Sequence, residues 1–261
     1  MSRLPEPVDS FLRRYLLAVQ QGTRIPVTGA VAGWIGNGAG LMRTSAPHLP
    51  GVGWLVGMAA CLAFATLSIA LPATPLAPLA AAAGCCIVTA LLTGAMHEEG
   101  LARHLDAATA GSRAGTIALV LTLAAKMALL AVLGARSPGA VLTALLAAHT
   151  VSRLGPLVLV HTLPPVADAF AITLRPWTDR VDWRALAVAC AWCLLPLALM
   201  VLAHGVGFAA TGLGVTALAL AALRWRLARS GRDFNADALG AAQQAGELAF
   251  YLGSALGLSP R

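Results

Sequence analysis

The sequence predicts an all-α membrane protein, a polytopic bundle of six to seven transmembrane helices with an N-terminal interfacial or re-entrant helix. The first observation is composition, because 58% of the 261 residues are hydrophobic and only 11% are charged. Soluble domains carry about 25% charged residues. The second observation is that the apolar residues fall in runs of about 20, the length that crosses a bilayer as a helix. We expect one integral membrane domain over 1–261, with an N-terminal interfacial region (1–50) and a helix bundle (51–261).

Six apolar runs predict the transmembrane helices in chain order. They are 51–71, 76–96, 114–135, 139–160, 185–203 and 206–223. A seventh run, 238–258, contains Gln243, Gln244 and Glu247, so it either packs inside the bundle or lies at the membrane interface. The N-terminal run 10–20 is too short to span and carries two arginines, which is typical of an interfacial or re-entrant helix.

The charge of the chain indicates orientation in a membrane rather than a nucleic-acid partner. The net charge is +7, and Lys126 is the only lysine. Segments rich and poor in arginine alternate through the six runs. Because basic residues concentrate on the cytoplasmic side of membrane proteins, this pattern places the N-terminus and the segment after the second run in the cytoplasm.

The densest polar feature directly follows the second apolar run and extends from His97 to Asp106. If the helix continues, Glu99, Arg103 and Asp106 lie on one face, with Glu98 and His97 beside them. Carboxylates that converge at a membrane surface could bind Mg²⁺, which prefers oxygen ligands and usually retains a phosphate among them. The alternative is a solvated segment in which a Glu99–Arg103 pair stabilises a helix end.

Three residues outside this segment are candidates for binding phosphate. Ser112 and Arg113 open the third apolar run, where backbone N–H groups at a helix start favour anions. The alternative is that Ser112 only caps the helix and that Arg113 only orients the helix in the membrane. Arg24 follows the interfacial helix at the depth of the lipid headgroups, and it could reach either a substrate phosphate or a lipid phosphate.

Two charged residues lie within apolar runs, where a charge costs at least about 2.5–3.5 kcal/mol. Lys126 stands in the middle of its run, so we expect a buried partner, for which Glu247 is a candidate. Arg153 lies near the predicted cytoplasmic end of its run. It either lines a substrate cavity or holds the bundle together.

Three short segments agree in order with one enzyme family. They read TRIP at 23–26, GAMHEEGLA at 94–102 and SRAG at 112–115. They resemble the elements TRIPVP, GxxHxDGxAD and MKDSRxG of the cobalamin synthase family, also called adenosylcobinamide-GDP ribazoletransferases. The resemblance extends over nearly the whole chain.

The resemblance implies a transferase that joins adenosylcobinamide-GDP to α-ribazole or its 5′-phosphate and releases GMP, in the bacterial inner membrane. It implies Mg²⁺ as cofactor. Partners would be these substrates and membrane lipid, and a homo-oligomer or a complex with other pathway enzymes stays open. His97 would orient a carboxylate or assist proton removal from the attacking hydroxyl. The implied metal ligands are Glu98, Glu99 and Asp106, and the implied phosphate-binding residues are Arg24, Ser112, Arg113 and Arg153.

The chain departs from the family pattern at two places. Glu99 and Arg103 stand where the family has aspartates, and the MKD element before Ser112 is missing. These departures motivate an alternative, a non-catalytic member that binds corrinoid intermediates or scaffolds pathway enzymes. A third hypothesis is a small transporter with Lys126 and Arg153 as its intramembrane sites.

Overall fold

The computed structural model describes residues 6–36, 44–109, 113–163, 181–230 and 235–258. Over these ranges the chain is helical and contains no strand. A short 3₁₀ turn, Ala46–His48, precedes the first long helix. The helices of the described residues are α1 (Glu6–Gly22), α2 (Gly29–Ile35), α3 (Leu49–Ala70), α4 (Ala77–Thr93), α5 (Met96–Ala108), α6 (Ala114–Arg136), α7 (Pro138–Thr162), α8 (Trp183–His204), α9 (Val206–Ser230) and α10 (Ala236–Leu256).

The all-α membrane architecture expected from composition is confirmed. Within the described ranges, α3, α6, α7, α8 and α9 are long and apolar enough to cross a bilayer. The bent pair of α4 and α5 is either a broken sixth span or a re-entrant segment. Large apolar side chains such as Leu62, Ile69 and Leu202 are exposed on the outer faces of these helices. Such a surface is stable in contact with lipid and not with water.

The second apolar run does not continue straight into the acidic segment. Helix α4 ends at Thr93, and α5 begins at Met96 after a bend of 88°. Gly94 and Ala95 both have positive φ, 68° and 54°, and the N–H of Ala95 donates to the carbonyl of Ala90 over 2.8 Å. Glycine adopts this conformation readily, whereas alanine is strained in it. The predicted run over 76–96 is therefore too long at its end, and the acidic segment forms a separate helix.

Helix α10 packs inside the bundle, which decides between the two placements expected for the seventh run. Gln243, Gln244 and Glu247 are all buried. The side chain of Asn235 caps the start of α10 by accepting from the N–H of Ala238 over 3.0 Å. In the described part of the chain, α10 contacts α5, α6, α7 and α9. A helix with this many polar residues is stable at such a position only if they find partners.

Glycines allow two close crossings that position the polar elements. A Cβ atom on Gly53 of α3 would lie 2.3 Å from the carbonyl oxygen of His149 in α7. A Cβ atom on Gly100 of α5 would lie 3.1 Å from the Cα atom of Gly240 in α10. These contacts bring the backbones of the paired helices together, so α5 lies directly against the start of α10.

Replacing Gly53 with alanine should destabilise the protein by about 1–3 kcal/mol, the usual effect of overpacking a close contact. Gly214 on α9 has no atoms within 4 Å of an added Cβ. The matched variant Gly214→Ala should be neutral or slightly stabilising. Thermal unfolding in detergent measures both, and equal midpoints for the two variants would contradict the close α3–α7 crossing.

Candidate functional site

A pocket of about 170 Å³ lies where α5 crosses the bundle. The end of α1 and the start of α3 close one side, α7 forms another, and the first turns of α10 form the wall opposite α7. Apolar residues line most of it. The polar and charged side chains in its wall are His97, Glu99, Arg103, Arg153, Asp237 and Gln243.

Glu99 and Arg103 form an ion pair one helical turn apart on α5, at the pocket wall. Their side chains are 56% and 62% exposed. An exposed pair of this spacing stabilises a helix by only about 0.3–0.5 kcal/mol. The pairing expected from the i, i+4 spacing is thus present, and it is weak enough to open.

Glu98 is half-buried and does not line the pocket. Its Oε2 atom is buried and makes no hydrogen bond in the described part of the chain. The carboxylate is near enough to Arg153 for the two charges to attract each other. An unpaired buried carboxylate oxygen is costly, so a hydrogen-bond donor or cation that reached Oε2 would be stabilised there.

Arg153 is a buried cation in the pocket wall. Its side chain is 3% exposed, and Nη1 donates to the carbonyl oxygen of His149 over 2.6 Å. No carboxylate of the described residues lies within ion-pair distance of its guanidinium, although Glu98 and Glu247 act on it from farther away. The structure shows that Arg153 lines a cavity, and its role toward a substrate stays a prediction.

A second polar cluster lies deeper in the bundle, next to this pocket. Nζ of Lys126 lies 2.9 Å from Oε1 of Glu247 and donates to Oε1 of Gln244 over 2.6 Å. Tyr251 donates to the same Glu247 carboxylate over 3.3 Å, and Nδ1 of His149 lies 3.7 Å from its other oxygen. The expected partnership of Lys126 with Glu247 is confirmed. Because the ammonium group of Lys126 is bonded to Glu247 and Gln244, it is not available to bind a transported solute.

The remaining predicted site residues lie around the pocket rather than in its wall. Oδ1 of Asp106 accepts a hydrogen bond from the N–H of Gly115 over 2.8 Å and so joins α5 to α6. Arg24 lies against Gly94, and its backbone N–H donates to the carbonyl of Leu92 over 2.7 Å. Arg113 is exposed at the start of α6. Ser112 lies outside the described residues.

Asp237 and Gln243 are pocket residues that the sequence did not single out as functional. Both belong to α10, and the backbone of Asp237 lies against Gly100 beside Glu99. Gln243 was one of the polar residues noted in the apolar run 238–258, whereas Asp237 lies one residue before that run. Nothing in that run showed which polar side chains face a pocket and which face Lys126.

The pocket fits a cation that shares its ligands with a phosphate and does not fit a complete protein cage. In the described ranges, no group of three or more His, Cys, Asp or Glu side chains is close enough to hold a metal ion. Mg²⁺ is commonly bound by one or two carboxylates together with water and substrate phosphates. Glu99 and Asp237 supply two carboxylates to one pocket.

Comparison with known proteins decides the family. The family model described as cobalamin-5-phosphate synthase matches residues 14–255. The chain belongs to this family. It is 42% identical to the adenosylcobinamide-GDP ribazoletransferase of Polaromonas naphthalenivorans over 95% of this chain and 99% of the relative. It is 40% identical to the same enzyme of Albidiferax ferrireducens over 96% and 100% of the two chains. No solved structure matches the chain.

The range matched by the cobalamin-5-phosphate synthase model contains every polar side chain of the pocket and the whole Lys126 cluster. Residues from its second third, such as His97 and Glu99, line the pocket together with a residue from its last tenth, Asp237. The family assignment therefore covers the helices that form the pocket.

Replacing Lys126 with methionine should destabilise the protein by about 3–5 kcal/mol, because it leaves the Glu247 charge buried without its partner. The double replacement Lys126→Met with Glu247→Leu removes both charges and should recover most of that loss. Thermal unfolding in detergent measures the two variants against the unmodified protein. An additive double variant, less stable than either single variant, would show that the pair does not act as a unit.

Proposed function

We propose that this chain is a Mg²⁺-dependent adenosylcobinamide-GDP ribazoletransferase whose reaction takes place in the pocket between α5, α7 and α10. The observation that carries the proposal is the meeting of Glu99, Arg153 and Asp237 from three helices in one pocket, in a member of this family. Transfer at phosphorus requires positioned cations and carboxylates that hold a metal. The pocket contains both.

The reaction is a displacement at phosphorus. A ribose hydroxyl oxygen of α-ribazole or its 5′-phosphate attacks the phosphorus next to cobinamide, and the bond from that phosphorus to the bridging oxygen of GMP breaks. GMP leaves with the bonding electrons, and the hydroxyl proton passes to a base. His97 lines the pocket and Glu98 lies beside it with a buried, unpaired oxygen, so these two side chains are our candidates for receiving the proton.

The charged side chains divide into phosphate ligands and metal ligands. Arg153 is fixed and buried, which suits a guanidinium that stabilises negative charge on a phosphate. Arg24 and Arg113 are exposed near the ends of α5 and would contact phosphates at the rim. Mg²⁺, when bound, would neutralise the diphosphate and the leaving GMP.

Glu99 and Asp237 are the carboxylates that we place on Mg²⁺, because both line the pocket. Glu98 and Asp106 stay predicted ligands from the sequence. Asp106 would have to release the N–H of Gly115 before it could bind a metal. Glu99, in the pocket wall, would have to release only the exposed side chain of Arg103.

We also propose that the pocket faces the cytoplasm from the inner membrane. The charged residues support this orientation, because Arg24, Arg103, Arg113 and Arg226 belong to segments at the pocket end of the bundle. At the opposite end of α6, Arg136 is the one arginine among the described residues. The positive end of a membrane protein is normally cytoplasmic.

Purified protein given both substrates and Mg²⁺ should release GMP, and Glu99→Gln and Asp237→Asn should each lower kcat by about 100-fold or more, as loss of a group that stabilises the transition state does. The matched control is Asp182→Asn, because Asp182 only caps α8 and asparagine caps equally well. Chromatographic detection of GMP measures all four proteins. If the unmodified protein yields no GMP, or if Asp237→Asn is as active as Asp182→Asn, the proposed site is wrong.

A cysteine placed at Arg226, in a background lacking the native cysteines, should react with a membrane-impermeant maleimide in inside-out vesicles and not in intact spheroplasts. Arg226 is exposed at the pocket end of α9. Gel-shift labelling measures the reaction on each side. Labelling in spheroplasts alone would place the pocket outside the cytoplasm.

A further inference from the structure

The charged side chains that line the pocket are equal in number of each sign, and Glu98 beside the pocket adds a negative charge near Arg153. Glu99 and Asp237 carry two negative charges, and Arg103 and Arg153 carry two positive charges. A diphosphate diester brings two negative charges and Mg²⁺ brings two positive charges. Either ligand alone would change the net charge of this site by two, whereas the two together leave it unchanged.

The Glu99–Arg103 pair is the part of this arrangement that can rearrange. Both side chains are more than half exposed and lie one turn apart on one helix. Arg153, by contrast, is fixed by burial and by its bond to the His149 carbonyl. Since an exposed pair is weakly held, a phosphate can take the guanidinium, and a cation can take the carboxylate, without moving the backbone.

We propose that Arg103 is a ligand of the substrate diphosphate and that Mg²⁺ and the diphosphate bind together by an exchange of ion-pair partners. In this exchange the Glu99–Arg103 pair opens, Glu99 binds the cation and Arg103 binds the phosphate. The identity of the diphosphate rests on the proposed function. The exchange itself rests on the contacts and charges of the pocket. Arg103 then binds the diphosphate at the exposed side of the pocket, and Arg153 binds it at the buried wall.

An arginine suits this task better than a lysine. Its planar guanidinium offers paired N–H groups to two phosphate oxygens, and it remains charged in any partner state. Gly100 and Gly240 carry no side chains, so α5 and α10 pack backbone to backbone at their crossing, and Glu99 and Asp237 line the same pocket. Ligands at this position therefore contact α5 and α10 at once.

The test is calorimetric binding of GDP-mannose, a stable diphosphate diester, to the detergent-solubilised protein with and without Mg²⁺. The unmodified protein should bind this probe about 10-fold more tightly with saturating Mg²⁺, within the range of coupling between interacting sites. Arg103→Gln should lower that ratio to about 2-fold or less and should tighten binding of Mg²⁺ alone, because Glu99 is released. Arg103→Lys keeps the charge and should retain part of the Mg²⁺-induced increase in affinity for GDP-mannose.

The matched control is Arg226→Gln, which removes an exposed arginine at the same end of the bundle but outside the pocket, and it should keep the full ratio. The proposal is overturned if Arg103→Gln keeps the ratio, if Mg²⁺ and GDP-mannose bind the unmodified protein independently, or if GDP-mannose does not bind in the presence of Mg²⁺. These outcomes are separable from the proposed function. If the protein releases GMP but its Mg²⁺ coupling does not depend on Arg103, the proposed function stands and the exchange is wrong. If the coupling depends on Arg103 but no GMP is released, the exchange stands and the proposed function is wrong.

Discussion

The ion pair between Lys126 and Glu247 holds a polar helix inside an apolar bundle. Neither charge would be stable alone at this depth, because burying an isolated ion costs several kcal/mol. Together with Gln244 and Tyr251 they form a hydrogen-bonded cluster between α6 and α10. The cluster therefore fixes the position of α10, and with it one wall of the pocket.

The residues of α10 that meet Lys126 and those that meet the pocket lie on one continuous face of the helix. Asp237, Gly240, Gln244, Glu247 and Tyr251 follow one another at intervals of three and four residues, so they lie in one stripe. The inner part of the stripe meets Lys126, and the outer part meets α5 and the pocket. Fixing Glu247 in the bundle thus sets where Asp237 stands relative to Glu99.

The turn between α4 and α5 supplies the other half of the site. Because α5 is bent by 88° from α4, it packs against the start of α10 and lines a pocket together with α7 and α10. Asp106 secures the far end of α5 by its bond to Gly115. A straight continuation would have carried Glu99 away from Arg153, and no shared pocket would exist.

The sequence was sufficient for the parts of this structure that depend on composition and local spacing. Apolar runs predicted the spans, the cost of a charge in lipid predicted a partner for Lys126, and the i, i+4 spacing predicted the Glu99–Arg103 pair. The turn at Gly94 was not predictable from apolar length, because the run continues to Met96 and Ala95 adopts a conformation that alanine disfavours. Asp237 escaped notice because its role depends on the crossing of two helices far apart in the chain.

The most direct measurement of the central claim is an experimental structure of the protein with a diphosphate substrate or analogue and Mg²⁺. The account predicts ligand density in the pocket between α5, α7 and α10, with phosphate oxygens on Arg153 and the metal between Glu99 and Asp237. Density for the diphosphate elsewhere, such as beside His204 at the opposite end of the bundle, where a second pocket lies, would contradict it.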